Sequence, residues 1–262
     1  MFFPSTKQWN RPLLILLPLC IALAIFTLFY PPTLQAIWLP IDIAFFKLIN
    51  RMIETSPFGQ AFWALANHQG ADILEDFVFA FFLLWLLKIT PKEQRAKKGA
   101  QFLAVFLFCL ISHLLINELL FRTLISVPRA SPTYLLENCT RLSEKISWIK
   151  VKDHSMKSFP SDHATTALYF TMTFLMISPP KIARLSTLYG IFLCMPRMVV
   201  GAHWLTDVLL GSGSIVLLFG SWMFCTPLAF HTASLIERFF RRIGSLLQRK
   251  KTSRGKKIAA VK

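Results

Sequence analysis

Residues 197–207 place a guanidinium, an imidazole and a carboxylate at fixed spacings. His203 and Asp207 are four residues apart, so on a helix they would share a face. The carboxylate could then orient one ring nitrogen of His203 while the other attacks. Arg197, six residues earlier, offers a permanently charged planar fork that matches phosphoryl oxygens. These residues indicate a nucleophilic histidine acting on a phosphate. The alternative is an ion pair at the edge of a membrane span, with His203 uninvolved.

Two upstream segments extend this pattern. Residues 122–132 read Arg-Thr-Leu-Ile-Ser-Val-Pro-Arg-Ala-Ser-Pro, and residues 158–163 read Ser-Phe-Pro-Ser-Asp-His. With 196–207 they resemble, in order, the three-part pattern of the type 2 phosphatidic acid phosphatase (PAP2) superfamily: Lys-x6-Arg-Pro, Pro-Ser-Gly-His and Ser-Arg-x5-His-x3-Asp. The longer strings, with Trp-Leu-Pro-Ile-Asp at 38–42, resemble one bacterial branch that moves a phosphate from undecaprenyl pyrophosphate to lipid A. The resemblance covers about residues 36–228.

This resemblance implies a role for each matching residue. Four residues are expected to bind the phosphoryl oxygens: Arg122, Arg129, Ser161 and Arg197. His203, oriented by Asp207, would attack phosphorus and form a phosphohistidine. His163 would protonate the departing oxygen and later deprotonate the acceptor. No set of carboxylates or Cys/His pairs at ligand spacing indicates a metal, so neither a metal nor a cofactor is expected.

The chain departs from the family pattern at four positions. Arg122 replaces Lys, Ala130 replaces Pro, Asp162 replaces Gly and Pro196 replaces Ser. Arg122 could equally be the snorkelling end of a span. Lys152 or Lys157 could then supply the ammonium group that the lysine of the family pattern provides. Asp162 could repel an anion, raise the basicity of His163 or pair with Arg129.

Composition predicts the elements that must position these groups. Apolar residues make up 54% of the chain and the mean hydropathy is +0.51, which exceeds the roughly 45–50% of soluble proteins. We therefore expect an all-α, polytopic membrane protein with six spans at about residues 12–30, 72–87, 100–120, 163–177, 182–195 and 204–224. Residues 41–53 indicate an amphipathic interfacial helix. Asp72, Glu75 and Asp76, at the mouth of the second span, are expected to be solvated.

The domain assignment and the orientation follow from these spans. We expect one six-span domain over residues 1–228, holding the motifs at 122–132, 158–163 and 196–207. Residues 229–262 would form an amphipathic helix and a basic cytoplasmic tail that anchors to anionic lipid rather than nucleic acid. Of the 29 Lys and Arg residues, nineteen fall on the side of both termini, which predicts that this side is cytoplasmic. Two spans separate the second and third motifs, so both would lie at the periplasmic face of a bacterial inner membrane.

The combined expectation is a lipid phosphotransferase. It would use undecaprenyl pyrophosphate as donor and the 1-phosphate of lipid A as acceptor, without nucleic acid. With water as acceptor, the same site would be an undecaprenyl pyrophosphate, lipid phosphate or lipid A 1-phosphatase. A soluble vanadium haloperoxidase shares the motif set, but the six expected spans argue against it. A non-catalytic lipid-binding protein or flippase is a further alternative, although headgroup binding alone needs no His-Asp pair.

Overall fold

A computed structural model describes residues 16, 18–24, 31–125 and 128–259. Side chains are outside the description at positions 32, 117, 121, 122, 125, 221, 224, 225 and 246–259. The expected first span at 12–30 lies largely outside the described residues. So does the side chain of Arg122, one of the four residues expected to bind phosphate.

The described part of the chain is helical and contains no β-strand, which confirms the all-α prediction. The helices in chain order are α1 (Pro32–Asn50), α2 (Pro57–Ala66), α3 (Gln69–Ile89), α4 (Lys92–Ser112), α5 (Pro132–Leu135), α6 (Leu142–Lys145), α7 (Asp162–Ile177), α8 (Pro180–Val199), α9 (Gly213–Cys225) and α10 (Leu228–Ala259). A 3₁₀ turn, Arg51–Ile53, follows α1, while π-helical segments extend α4 (His113–Ile125) and precede α9 (Asp207–Ser212). The α10 helix continues through the residues expected to form a separate basic tail.

An antiparallel hairpin of α7 and α8 lies at the centre of the fold. Ser161 caps the start of α7, accepting a hydrogen bond from the Ala164 N–H. Pro179 and Pro180 then start α8, because proline is preorganised for the first turn of a helix. Consequently the start of α7 and the end of α8 lie at the same end of the hairpin, which brings the second and third motifs together.

Aromatic packing holds α3 against this hairpin. Phe79 of α3 stacks on Phe170 of α7, with ring centroids 4.1 Å apart. Phe82 packs on both Phe170 and Phe174. Tyr189 of α8 closes the cluster from the other side. Such ring pairs add to the free energy of burial, so α3 has a fixed position beside the site.

The outward surface of α3 is apolar. Ile73, Leu74, Phe77, Phe81 and Leu84 are all more than half exposed. A face of this kind is unusual on a soluble monomer. Within the residues that the structure describes, two helical stretches are long and apolar enough to cross a bilayer, Lys92–Leu120 and Pro180–Val199. They overlap the expected third and fifth spans, and the six-span topology stays a prediction.

The connection between α4 and α7 is anchored to the ends of three helices. The Asn50 side-chain amide at the end of α1 donates to the carbonyl oxygens of Thr140 and Val199, each at 3.1 Å. Asn67, after α2, donates to the carbonyl of Lys152 at 3.1 Å. Buried amides that bridge backbone groups in this way fix a loop as firmly as regular structure does. The loop therefore holds Arg129 and Ser158 in place against α8.

Candidate active site

His203 lies on a tight turn at the end of α8. The turn includes Gly201 at φ +87°, a conformation that favours glycine. The backbone N–H groups of Ala202 and His203 both donate to the Arg197 carbonyl, at 2.9 and 3.2 Å. The turn therefore fixes His203 directly above the last residues of the helix that carries Arg197.

A backbone carbonyl holds the His203 ring. Nδ1 of His203 lies 2.6 Å from the carbonyl oxygen of Ser158. Because a carbonyl oxygen only accepts, Nδ1 must carry the proton in this contact. The neutral ring then keeps its lone pair on Nε2. The sequence does not reveal Ser158 as the partner of His203, because a backbone carbonyl has no residue-type signature.

Asp207 approaches the same ring nitrogen from further away. Its Oδ2 lies 3.7 Å from His203 Nδ1, beyond direct hydrogen-bond distance. The same oxygen accepts the backbone N–H of Trp204 at 2.8 Å, and the carboxylate is fully buried. The orienting role expected of Asp207 stays a prediction, with Ser158 as the nearer partner.

Arg129 is enclosed by two carboxylates. One terminal nitrogen donates to Asp207 Oδ1, and the other lies 2.5 Å from Asp42 Oδ2 and 3.0 Å from Thr206 Oγ1. Burial raises the pKa of the Asp42 carboxyl, while hydrogen bonds from Thr206 and the Arg129 charge oppose that rise. The phosphate contact expected of Arg129 stays a prediction, because both terminal nitrogens are engaged in this structure.

Arg197, near the end of α8, contacts His163, at the start of α7. Its Nη2 lies 2.9 Å from His163 Nε2, and the residue is only 9% exposed. A guanidinium only donates, so His163 Nε2 accepts in this contact. The backbone N–H of His203 donates to the Arg197 carbonyl at 3.2 Å, so His203 lies at the same end of the hairpin. The structure therefore gathers the three residues to which the resemblance gave the central roles.

Carboxylates of α3 complete this cluster. Asp72 Oδ1 lies 3.3 Å from His163 Nε2, and both Asp72 and Glu75 act electrostatically on Arg197. Asp72 keeps 45% of its side chain exposed, as solvation requires, and it also lies next to a site residue, which was not expected. The available signal was the spacing of Asp72 and Glu75, which are three apart and share a helix face.

The remaining candidates lie around the same end of the fold. Ser161 is buried, and its hydroxyl oxygen caps α7, whose N-terminus favours an anion. The phosphate contact expected of Ser161 stays a prediction. Lys152 and Lys157 are exposed, and Asp162 is half-buried at the first position of α7. Within the described ranges, the buried Ser158 hydroxyl has no hydrogen-bond partner, and no group of three or more His, Cys, Asp or Glu could hold a metal.

A groove of about 230 Å³ begins one helical turn from His163. It runs between α3, α4 and α7, and Asp76 and Thr166 lie at its polar end. Its wall is mostly apolar and aromatic: Phe79, Phe102, Phe106, Cys109, Leu110, Tyr169 and Phe170, with His113, Thr165 and Thr173. A groove of this composition suits a hydrocarbon chain attached to a phosphate that reaches His163.

Comparison with known proteins places these motifs in a family. The profile of the PAP2 superfamily matches residues 102–230, a range that includes Arg129, His163, Arg197, His203 and Asp207. The chain is also 33% identical over 226 residues to the lipid A 1-diphosphate synthase of Escherichia coli (strain K12). That alignment covers 84% of this chain and 90% of the relative. No solved structure matches the chain.

Proposed function

Because the chain belongs to the PAP2 superfamily of phosphatases and phosphotransferases, we propose that it transfers a phosphate from undecaprenyl pyrophosphate to the 1-phosphate of lipid A. The relative named above supports this choice of acceptor, since its name describes the product of such a transfer. The donor follows from the resemblance of the longer motif strings to the same bacterial branch.

The observation that carries the proposal is the state of the His203 ring. The Ser158 carbonyl accepts a hydrogen bond from Nδ1–H at 2.6 Å, which leaves the lone pair of Nε2 to act as a nucleophile. Arg197 and His163 lie in contact at the same end of the α7–α8 hairpin. A phosphoryl group between them and His203 would meet a positive charge and a lone pair together.

The reaction would proceed in two steps. First, His203 Nε2 forms a bond to the terminal phosphorus of the donor, and the bridging P–O bond breaks. Undecaprenyl phosphate leaves with a proton supplied by His163 when the leaving oxygen requires one. Then an oxygen of the lipid A phosphate attacks the phosphohistidine, the P–N bond breaks, and lipid A 1-diphosphate forms. Arg197 would neutralise the phosphoryl oxygens throughout.

The apolar groove supports a lipid rather than a soluble substrate. It begins one helical turn from His163, at Thr166, and is lined by the hydrophobic side chains of α3, α4 and α7. A polyprenyl chain could lie there while its pyrophosphate reaches the site. We place the protein in a bacterial inner membrane, with both termini cytoplasmic and the site periplasmic. In that orientation the 1-phosphate of lipid A would approach from the outer leaflet.

Radiolabelled donor tests the proposal. Purified protein in detergent is incubated with undecaprenyl pyrophosphate labelled on its terminal phosphate, with and without lipid A. We expect label on lipid A from wild type and from His231→Ala, a control histidine exposed on α10, and none from His203→Ala. Free phosphate in both incubations without labelled lipid A would make the protein a phosphatase. Absence of turnover in both would refute the proposed donor.

A further inference from the structure

Asp42 reaches the site from a helix that carries none of the three motifs. It lies in α1, is fully buried, and meets Arg129, 87 residues further along the chain, at 2.5 Å. Its other oxygen accepts the backbone N–H of Thr206 at 3.0 Å, and the Thr206 hydroxyl donates to Asp42 at 2.6 Å. A buried carboxylate with this many partners is held in one orientation.

Arg129 connects Asp42 to both groups near His203 Nδ1. Its side chain donates to Asp207 Oδ1, which leaves Asp207 Oδ2 facing the imidazole at 3.7 Å. Its backbone carbonyl accepts the N–H of Ser158 at 2.8 Å, and the Ser158 carbonyl is the oxygen that holds the ring. A shift of Arg129 would therefore move both the near and the distant partner of His203.

The charges of this cluster also favour the proposed chemistry. Asp42 and Asp207 place two carboxyl groups against the single guanidinium of Arg129, and all three residues are more than nine-tenths buried. The imidazole gains positive charge as its Nε2 bonds to phosphorus. The buried Asp207 carboxylate, 3.7 Å from Nδ1, stabilises that change.

We propose that Asp42 is a positioning residue for the nucleophile, acting through Arg129 and Thr206 on the orientation of the His203 ring. This inference rests on the phosphate transfer proposed above. Besides the phosphate contact expected of it, Arg129 would then link Asp42 of α1 to Asp207 and Ser158 through its hydrogen bonds.

The first test is the effect of Asp42→Asn on turnover. We expect kcat to fall by about 10²-fold, the cost of a small displacement of a catalytic group, with little change in KM. In an Arg129→Gln background, Asp42→Asn should add little further loss, since the connection is already broken. Asp153→Asn is the matched control, because Asp153 is equally buried but contacts the loop backbone at Ser143. It should change kcat per folded molecule little.

The second test does not need turnover. In protein labelled with ¹⁵N-histidine, the Nδ1–H signal of His203 is assigned by its loss in His203→Ala. We expect Asp42→Asn to shift or broaden this signal and Asp153→Asn to leave it in place. If Asp42→Asn does not fold, Thr206→Val removes only the hydroxyl bridge. It should shift the same signal and lower kcat about tenfold, the value of one hydrogen bond to a charged group.

The outcomes separate the two proposals. An unchanged His203 signal with unchanged kcat in folded Asp42→Asn would overturn the positioning role. Additive losses in the Arg129→Gln background would overturn an action through Arg129. Wild-type protein that shows no turnover but retains the signal shift in Asp42→Asn would refute the proposed reaction and support the positioning of the ring.

Discussion

Replacement of Arg197 tests the electrostatic basis of the site most directly. The guanidinium is 9% exposed and touches His163 at 2.9 Å, so a phosphoryl oxygen bound there would lie about 4 Å from its charge. Two unit charges at that distance interact by about 4 kcal/mol at an effective dielectric constant near 20. At about 1.4 kcal/mol for each tenfold change, Arg197→Gln should lower kcat/KM by about 10³-fold.

Arg197→Lys separates charge from geometry. Lysine keeps the positive charge but loses the planar fork, so one charged hydrogen bond of about 1.5–3 kcal/mol is at stake. We expect a loss of about tenfold to a hundredfold, clearly smaller than for Arg197→Gln. A kcat/KM that is higher for Arg197→Lys than for Arg197→Gln identifies the contribution of the charge, whatever the two values are.

The assay measures initial rates of phosphate transfer from labelled undecaprenyl pyrophosphate at several donor concentrations. Arg184→Gln is the matched control, since Arg184 lies near the start of the same helix, is exposed, and its side chain donates to the Pro180 carbonyl. The unfolding midpoint of each variant establishes that it is folded. A folded Arg197→Gln protein with kcat/KM close to wild type would refute a phosphate contact of Arg197.

Two further predictions concern the turn before His203 and the metal requirement. Gly201→Ala should destabilise the protein by about 1–3 kcal/mol, because φ is +87° and a Cβ there would overlap the Thr133 methyl group. Thermal unfolding should show a lower midpoint, whereas Gly244→Ala, with no atom near the added Cβ, should be neutral or stabilising. Equal unfolding midpoints for Gly201→Ala and wild type would contradict the inference that a side chain at position 201 is strained. Prolonged treatment with EDTA should leave phosphate transfer unchanged, since each step is assigned to His203, His163 and Arg197. A loss of activity restored by added Mg²⁺ or Zn²⁺ would refute that assignment.

The sequence was sufficient for the helical hairpin that forms the site. Proline at 179 and 180 and the capping residue Ser161 are local signals, and they define the ends of α7 and α8. Once the helix ends are known, the approach of His163 to Arg197 follows from the antiparallel connection alone. The family membership was likewise predictable, because the three motifs are contiguous strings whose order can be compared directly.

The partners of the site residues were not predictable in the same way. Asp42 and Arg129 are 87 residues apart, and their pairing depends on how α1 docks, which no local pattern describes. Asp72 carried a weak signal through its spacing from Glu75, but an interface location offered water as an equally good partner. Ser158 acts through its carbonyl oxygen, a group that every residue possesses. These contacts therefore required the three-dimensional structure.

The hydrogen bonds between Asp42 and Thr206 can form only after both residues have been synthesised, so the site is assembled late in biosynthesis. The two residues are 164 positions apart, so at about 5–20 residues per second the ribosome needs roughly 8–33 s to progress from one to the other. Until then the nascent chain lacks His203 as well as the anchor that would orient it. The site is thus completed only when most of the chain has been synthesised, and a chain interrupted before Thr206 cannot form it.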